Sequence, residues 1–124
     1  MENNQSITSF GILTETRPWG KFEILIDNSD CKVKQITVNP GGRLSYQYHQ
    51  HRSEVWTIVS GIATMTLDGK ISDYIYGETI LIPLGMKHRV ENKGYDDLIF
   101  IEVQYGSYFG EDDIVRIEDD YNRK

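Results

Sequence analysis

The sequence predicts an all-β domain, an antiparallel sandwich or barrel, on three observations. Nine short runs rich in Val, Ile, Thr and Tyr occupy 21–26, 31–38, 43–49, 54–59, 62–67, 71–76, 79–82, 88–92 and 98–105, the composition that suits a pleated, half-buried surface. Turn-forming residues separate them: Asn28-Ser-Asp30, Pro40-Gly-Gly42, Ser60-Gly61, Asp68-Gly69, Gly77 and Lys93-Gly94. No helical period falls between consecutive runs, which excludes an α/β fold. With 124 residues, 39% hydrophobic content, eight Tyr, four Phe and two Trp, the chain is read as one domain with enough apolar surface for a core.

Taken in order, residues 1–16 lack periodicity, but Ile7, Phe10, Ile12 and Leu13 suggest a segment that docks on the domain. Arg17-Pro-Trp-Gly20 is a turn, because Pro fixes one φ and Gly permits the next. Residues 17–105 carry the strands, and Asp68-Gly69 between two of them is a strong hairpin signal. Residues 106–124 form an acidic C-terminal segment. Within it, 111–121 is expected as a short helix, its first acidic residues complementing the helix dipole.

Charge and cysteine content narrow the function. The net charge is −6 and the pI is near 5.0, so nucleic acid and anionic membrane are not expected partners: there is no basic stripe to neutralise phosphates. Half of that charge lies in 111–124, where Glu111, Asp112, Asp113, Glu118, Asp119 and Asp120 stand against Arg116, Arg123 and Lys124. Cys31 is the sole cysteine, so no intramolecular disulfide forms. The N-terminus has neither the basic nor the apolar region of a signal peptide, and no apolar run reaches membrane-spanning length. A cytoplasmic setting is expected.

The chemistry concentrates in Pro40-Gly-Gly-Arg-Leu-Ser-Tyr-Gln-Tyr-His-Gln-His-Arg-Ser-Glu54 and Pro83-Leu-Gly-Met-Lys-His88. Strand alternation puts Gln47 and His49 on one face with Ser45 and Arg43 behind them. Glu54 opens the next run, and His88 follows a rigid Pro-x-Gly turn. Gln47, His49, Glu54 and His88 together offer two imidazoles, a carboxylate and an amide oxygen, a donor set for one divalent cation. Zinc is taken first, and manganese, iron, cobalt or nickel also suit mixed N/O donors. Alternation leaves His51 as a competing ligand, since 47, 49 and 51 share parity. Any one of these residues alone reads better as surface polarity; four donors around two Gly-rich turns do not.

These residues carry a resemblance. Gly77-x5-Pro83-x-Gly85-x2-His88-x3-Asn92 resembles the second motif of the cupin superfamily, and Gly42-x4-Gln47-x-His49-x4-Glu54-x6-Gly61 resembles the first, with Gln in place of the usual first His. That change points further. Leu44-Ser-Tyr-Gln-Tyr-His-Gln-His-Arg-Ser-Glu-Val-Trp56 is similar to the cupin domain of bifunctional mannose-6-phosphate isomerase/mannose-1-phosphate guanylyltransferases. So are Arg17-Pro-Trp-Gly20, Ile101-Glu-Val-Gln-Tyr-Gly106 and Gly110-Glu-Asp-Asp-Ile-Val-Arg-Ile-Glu-Asp-Asp-Tyr121. Val55 departs from a His usual after the Glu, but by parity it faces away from Glu54. The resemblance implies a cupin fold, a double-stranded β-helix or jelly-roll barrel, and it covers about residues 17–123.

It also implies an aldose–ketose isomerisation between mannose 6-phosphate and fructose 6-phosphate through a cis-enediol(ate). Such chemistry needs a base that moves a proton between C2 and C1 and a cation that stabilises the oxyanion. Glu102 is a candidate base if Leu98, Phe100, Glu102 and Gln104 face inward, although alternation equally allows Ile99, Ile101 and Val103 inside. His51 is a second candidate if it is not a ligand. Arg52 ranks first for phosphate binding or enediolate stabilisation, followed by Lys34, Arg43, Arg17, Lys87, Arg89 and Arg116. About two of these seven cations are expected in the pocket. Ser45 joins Arg43, Arg17 and Arg116 as a substrate contact, and Glu111-Asp-Asp113 is expected to cap the barrel or pair with Arg residues. The alternative is a non-catalytic sugar- or sugar-nucleotide-binding cupin acting with a separate guanylyltransferase. Guanylyltransferase activity itself is not expected, because these residues include no Gly-rich nucleotide loop. A homodimer is expected, through sheet faces or the segment around 7–13.

Overall fold

The computed structural model describes residues 5–7 and 12–121, which form twelve strands and no helix. They are β1 (Gln5–Ile7), β2 (Leu13–Arg17), β3 (Gly20–Asp27), β4 (Lys32–Val38), β5 (Tyr46–Tyr48), β6 (Arg52–Ser60), β7 (Ala63–Leu67), β8 (Lys70–Tyr74), β9 (Thr79–Ile82), β10 (His88–Glu91), β11 (Leu98–Gly106) and β12 (Val115–Glu118). All nine expected runs are strands. The run 43–49 shortens to β5 because Arg43 makes only an isolated bridge to Glu91, while the Leu44 N–H bonds to the Val90 carbonyl. The Asp68-Gly69 turn joins β7 to β8 with both residues at positive φ, 46° and 85°, the conformation that matches hairpin twist.

The strands form two antiparallel sheets, ordered β1-β2-β3-β4-β11-β6-β9 and β12-β5-β10-β7-β8. Their inner faces meet over a core that includes Trp19, Phe22, Met65, Val90 and Phe100. Trp56 and Phe100 stack at 4.2 Å between ring centroids.

Inward-facing positions change character along the barrel. At one level Ile36, Phe100 and Ile58 stand side by side on β4, β11 and β6. One level on, Lys34, Glu102 and Trp56 take the same places, and beyond them Lys32, Gln104 and Glu54. All of these are buried. One end of the barrel is therefore an apolar plug and the other a polar chamber, both made by the same strands. This also decides the face of β11. Leu98, Phe100, Glu102 and Gln104 point inward, while Ile99, Ile101 and Val103 lie on the half-buried outer side.

The C-terminal segment departs from expectation. No helix forms over 111–121; instead β12 pairs with β5, placing Val115 opposite Tyr48 and Arg116 opposite Gln47. Ile114, Val115 and Ile117 are β-branched and suit a strand. A helix this short is marginal alone, whereas a strand here completes the outer edge of β5. At the other end, β2 pairs with β3 and β1 with β2; Phe10 of the docking segment lies outside the described residues.

Truncating Phe100, fully buried against Trp56, removes the centre of the apolar plug. Phe100→Ala is expected to cost about 3–5 kcal/mol, read as a lowered midpoint in a denaturant melt.

Candidate metal centre

Two connections bring the donors together. His88 opens β10 directly opposite Gln47 of β5, so the two side chains share the inner face of one sheet. The Pro83–Gly85 turn that precedes His88 is tied back to the other segment: the Gly85 N–H donates to the His49 carbonyl at 3.0 Å, with Gly85 at φ 83°. Glu54 arrives from β6 of the opposite sheet. The ligand atoms of His49, Glu54 and His88 lie within 4.8 Å of one another, and all three residues are buried.

Hydrogen bonds define the form of both imidazoles. His49 Nδ1 lies 2.6 Å from the Asp113 carbonyl oxygen and His88 Nδ1 lies 3.0 Å from that of Met86. A carbonyl only accepts, so each Nδ1 carries a proton and each ring turns its Nε2 toward the cluster. Those Nε2 atoms face Glu54, at 3.1 Å from His49 and 3.9 Å from His88. His88 Nε2 and Gln47 Oε1 are buried without a hydrogen-bond partner among the described residues. Lone pairs from two rings, a carboxylate and an amide oxygen thus converge in a buried space, which fits a bound cation. Glu54 is steered from outside this set: Trp56 Nε1–H donates to Oε1 at 2.9 Å and Arg52 Nε–H to Oε2 at 2.8 Å.

The electrostatics follow from burial. Desolvation alone pushes the Glu54 carboxyl up, but the His49 hydrogen bond and the charges of His49, Arg52 and His88 outweigh it and hold it well below the usual carboxylate range. Burial, helped by the neighbouring His49, pushes His88 down and keeps it neutral. Arg52 loses stabilisation by burial, yet Glu54 and Glu102 more than restore its charge. Glu102 is pushed up to about 8, first by burial and then by the charge of Glu54.

A cavity of about 100 Å³ opens above the donors. Gln47, His49, Glu54 and His88 line it, as do Arg52, Glu102, Lys34, Ser45, Arg17 and Arg116. Four of the seven candidate cations therefore reach it, twice the number expected. Arg43, Lys87, Arg89 and His51 stand outside it. Arg43 is on the surface, bonded to both carboxylate oxygens of Asp120 at 2.7 and 2.6 Å, because the chain leaves the inner-face alternation before β5 begins. His51 lies beyond the end of β5 in an exposed bend, its ring edge-on to Tyr108. Of the two ligand registers that alternation allowed, the one with Gln47 faces the cluster.

Other cavity residues went unremarked in the sequence. Trp56 was legible, lying one inward step from Glu54 on the same strand. Trp19, Phe22, Ile36 and Leu44 supply the apolar wall. Glu111 enters from a loop, where no periodicity announces it, and its partners are lysines rather than arginines: Lys34 Nζ lies 2.8 Å from each carboxylate oxygen and Lys32 Nζ 3.1 Å from one.

Known proteins place this architecture. The sequence profile described as "Mannose-6-phosphate isomerase C-terminal" matches residues 4–119. A mannose-1-phosphate guanylyltransferase of Escherichia coli K12 is 49% identical over 107 residues, covering 86% of this chain and 22% of its own length. The chain spans less than a quarter of the length of such relatives. Among solved structures, an RmlC-like cupin from Shewanella frigidimarina aligns with a TM-score of 0.71 at 21% identity, over 88% of this chain and 97% of its own; this likeness shows the fold. Bacillus subtilis oxalate decarboxylase, described with Mn(II) centres, aligns with a TM-score of 0.69 at 26% identity, over 82% of this chain and 29% of its own.

One pH dependence follows from Glu111. Burial would raise its carboxyl, but the charges of Lys34 and Lys32 and their hydrogen bonds bring it from 4.5 down to about 2. A depressed folded-state value stabilises the fold above the unfolded value, and that stabilisation fades as pH falls from 4.5 toward 2. Because the side chain is partly exposed, solvent screens part of the effect. Urea melts of the native protein and Glu111→Gln are expected to differ most above about pH 5 and to converge toward about pH 2.

Proposed function

The chain belongs to the mannose-6-phosphate isomerase C-terminal family, and from that premise we propose that it is a metal-dependent aldose–ketose isomerase acting on mannose 6-phosphate and fructose 6-phosphate. The observation that carries the reading is one cavity holding both a buried donor cluster and a set of cations suited to a sugar phosphate. Gln47, His49, Glu54 and His88 would hold the divalent metal, zinc first. When bound, such an ion supplies Lewis-acid stabilisation of the oxyanion that develops on the substrate.

The remaining chemistry belongs to the chain. Glu102, buried and facing the cavity, is assigned the proton transfer: its carboxylate takes the C2 proton as the C1 carbonyl becomes an enediol(ate) oxygen. The resulting carboxylic acid returns the proton to C1 as the C2 carbonyl forms, and the hydroxyl proton of O2 passes to O1. Arg52, bonded to Glu54, and Lys34, level with Glu102, balance charge around that step. Arg17, Arg116 and Ser45 are assigned to the phosphate and hydroxyl groups. Arg17 is held over the Phe22 ring and paired with Glu15, which restricts the directions its guanidinium can take. Trp19, Phe22 and Leu44 exclude water from one wall.

A second reading has its own observation. The relatives are named guanylyltransferases and extend far beyond the matched region, so the domain could instead bind a sugar or sugar nucleotide without turnover, beside a guanylyltransferase. Mannose 6-phosphate incubated with the metal-loaded protein separates the two. Fructose 6-phosphate should form and should cease after chelation; formation at background with metal bound sinks the isomerase reading. Metal content should fall in Gln47→Ala, His49→Ala, Glu54→Ala and His88→Ala but persist in His51→Ala. Glu102→Gln should retain its metal and lower kcat by about 10²–10⁴-fold.

A further inference from the structure

From the contacts of the loop between β11 and β12, we propose that Asp113 is a positioning residue of the metal centre, and that this loop is the third segment from which the centre is built. The inference rests on the metal reading above but not on turnover.

Asp113 makes three contacts with the ligand segment, and each constrains His49. Its backbone carbonyl accepts the Nδ1 proton of His49 at 2.6 Å. Its carboxylate accepts the Gln50 N–H on Oδ1 and the His51 N–H on Oδ2, both at 3.0 Å. One buried residue thus holds the ring of a ligand and the backbone that carries it. The carbonyl does more than orient the ring. Without an acceptor at Nδ1, the proton is free to move to Nε2, where it would block the lone pair that faces Glu54.

The ligand strand needs this support. β5 has only three residues and shares a single register pair with β10, His88 opposite Gln47. Past Tyr48 no ladder continues, and His49, Gln50 and His51 turn across the mouth of the barrel. Their N–H and ring donors must find acceptors elsewhere, and the loop supplies them. The loop is anchored on both sides of Asp113. Upstream, Lys32 Nζ donates to the Phe109 carbonyl and to Glu111, and the Asp113 N–H donates to the Gly110 carbonyl. Downstream, Val115 pairs with Tyr48 and Arg116 with Gln47. Asp113 therefore sits at a fixed distance from His49 with little freedom to retreat.

The test is the affinity of the full chain for Zn(II) and for Mn(II), by calorimetric titration well below the unfolding temperature. Asp113→Ala removes both carboxylate contacts and should weaken metal binding about 10–100-fold, the range seen when a group that orients a metal ligand is lost. Asp113→Asn keeps one acceptor oxygen and should fall between. Asp112→Asn removes the same charge one position earlier, where the side chain accepts a hydrogen bond from Tyr108, and should stay within about twofold. If Asp113→Ala binds both metals as tightly as the native chain while its melting temperature falls, the residue is a loop anchor alone and the proposal is overturned. Nitrogen-15 NMR of the native metal-free protein gives a reading that no folding defect can spoil. His49 Nδ1 should carry a proton, and an unprotonated Nδ1 overturns the proposal. A native chain that binds neither metal overturns the metal reading itself.

Discussion

A single buried charge constrains the rest of this site. Glu54 is 1% exposed, and a carboxylate at that depth costs several kcal/mol unless partners replace its lost hydration. Arg52 and Trp56 replace part of it, one donor to each oxygen. His49 Nε2 stands 3.1 Å from one of those oxygens, but two further groups cannot help. Among the described residues, His88 presents an unpartnered Nε2, its Nδ1 proton committed to the Met86 carbonyl, and Gln47 presents an unpartnered amide oxygen. Acceptors do not satisfy acceptors. A bound cation would resolve the conflict, and this accounting, rather than residue type alone, makes the cluster a candidate metal centre.

The apolar half of the barrel makes such a chamber tolerable. Lys32, Lys34, Arg52, Glu54 and Glu102 are all buried, and none would persist in a domain of this size without a compensating core. The compensation is adjacent: Trp56 stacks on Phe100 while its Nε1–H holds Glu54. One side chain belongs to both halves. Glu102 shows the same economy from the other direction, since the burial that would destabilise a charged carboxylate instead raises it toward neutral pH, where proton transfer is most effective.

What the sequence revealed follows the reach of local rules. Strand alternation carries a run of β-branched residues to its position and brings Ser45, Gln47 and His49 to one face, since that argument needs only the pleat. It could not choose the face of β11, because Ile99, Ile101 and Val103 make an outer side as apolar as many interiors. The choice came from neighbours distant in the chain, Ile36 and Ile58 beside Phe100 and Lys34 beside Glu102. Alternation also misled at its edges. Arg43 and His51 share parity with the ligands, but each lies three residues past an end of β5, where Ser45 and His49 lie only one past it, and that far out the pleat no longer applies. The acidic run at 111–113 suggested a helix start, a reading that the open edge of β5 overrode.

The fold by itself hosts many chemistries, and the likeness to a manganese-containing decarboxylase shows how little the donor cluster decides about substrate. The cations decide more. Arg17, Lys34, Arg52 and Arg116 approach one cavity from β2, β4, β6 and β12, four elements that do not follow one another in the chain. Carboxylates stand among them, Glu15 against Arg17, Glu111 against Lys34 and Glu54 against Arg52, so the cavity presents charge of both signs. On the proposed reading these cations would meet the phosphate of a sugar phosphate, and the choice between turnover and simple capture would then concern Glu102 and the metal.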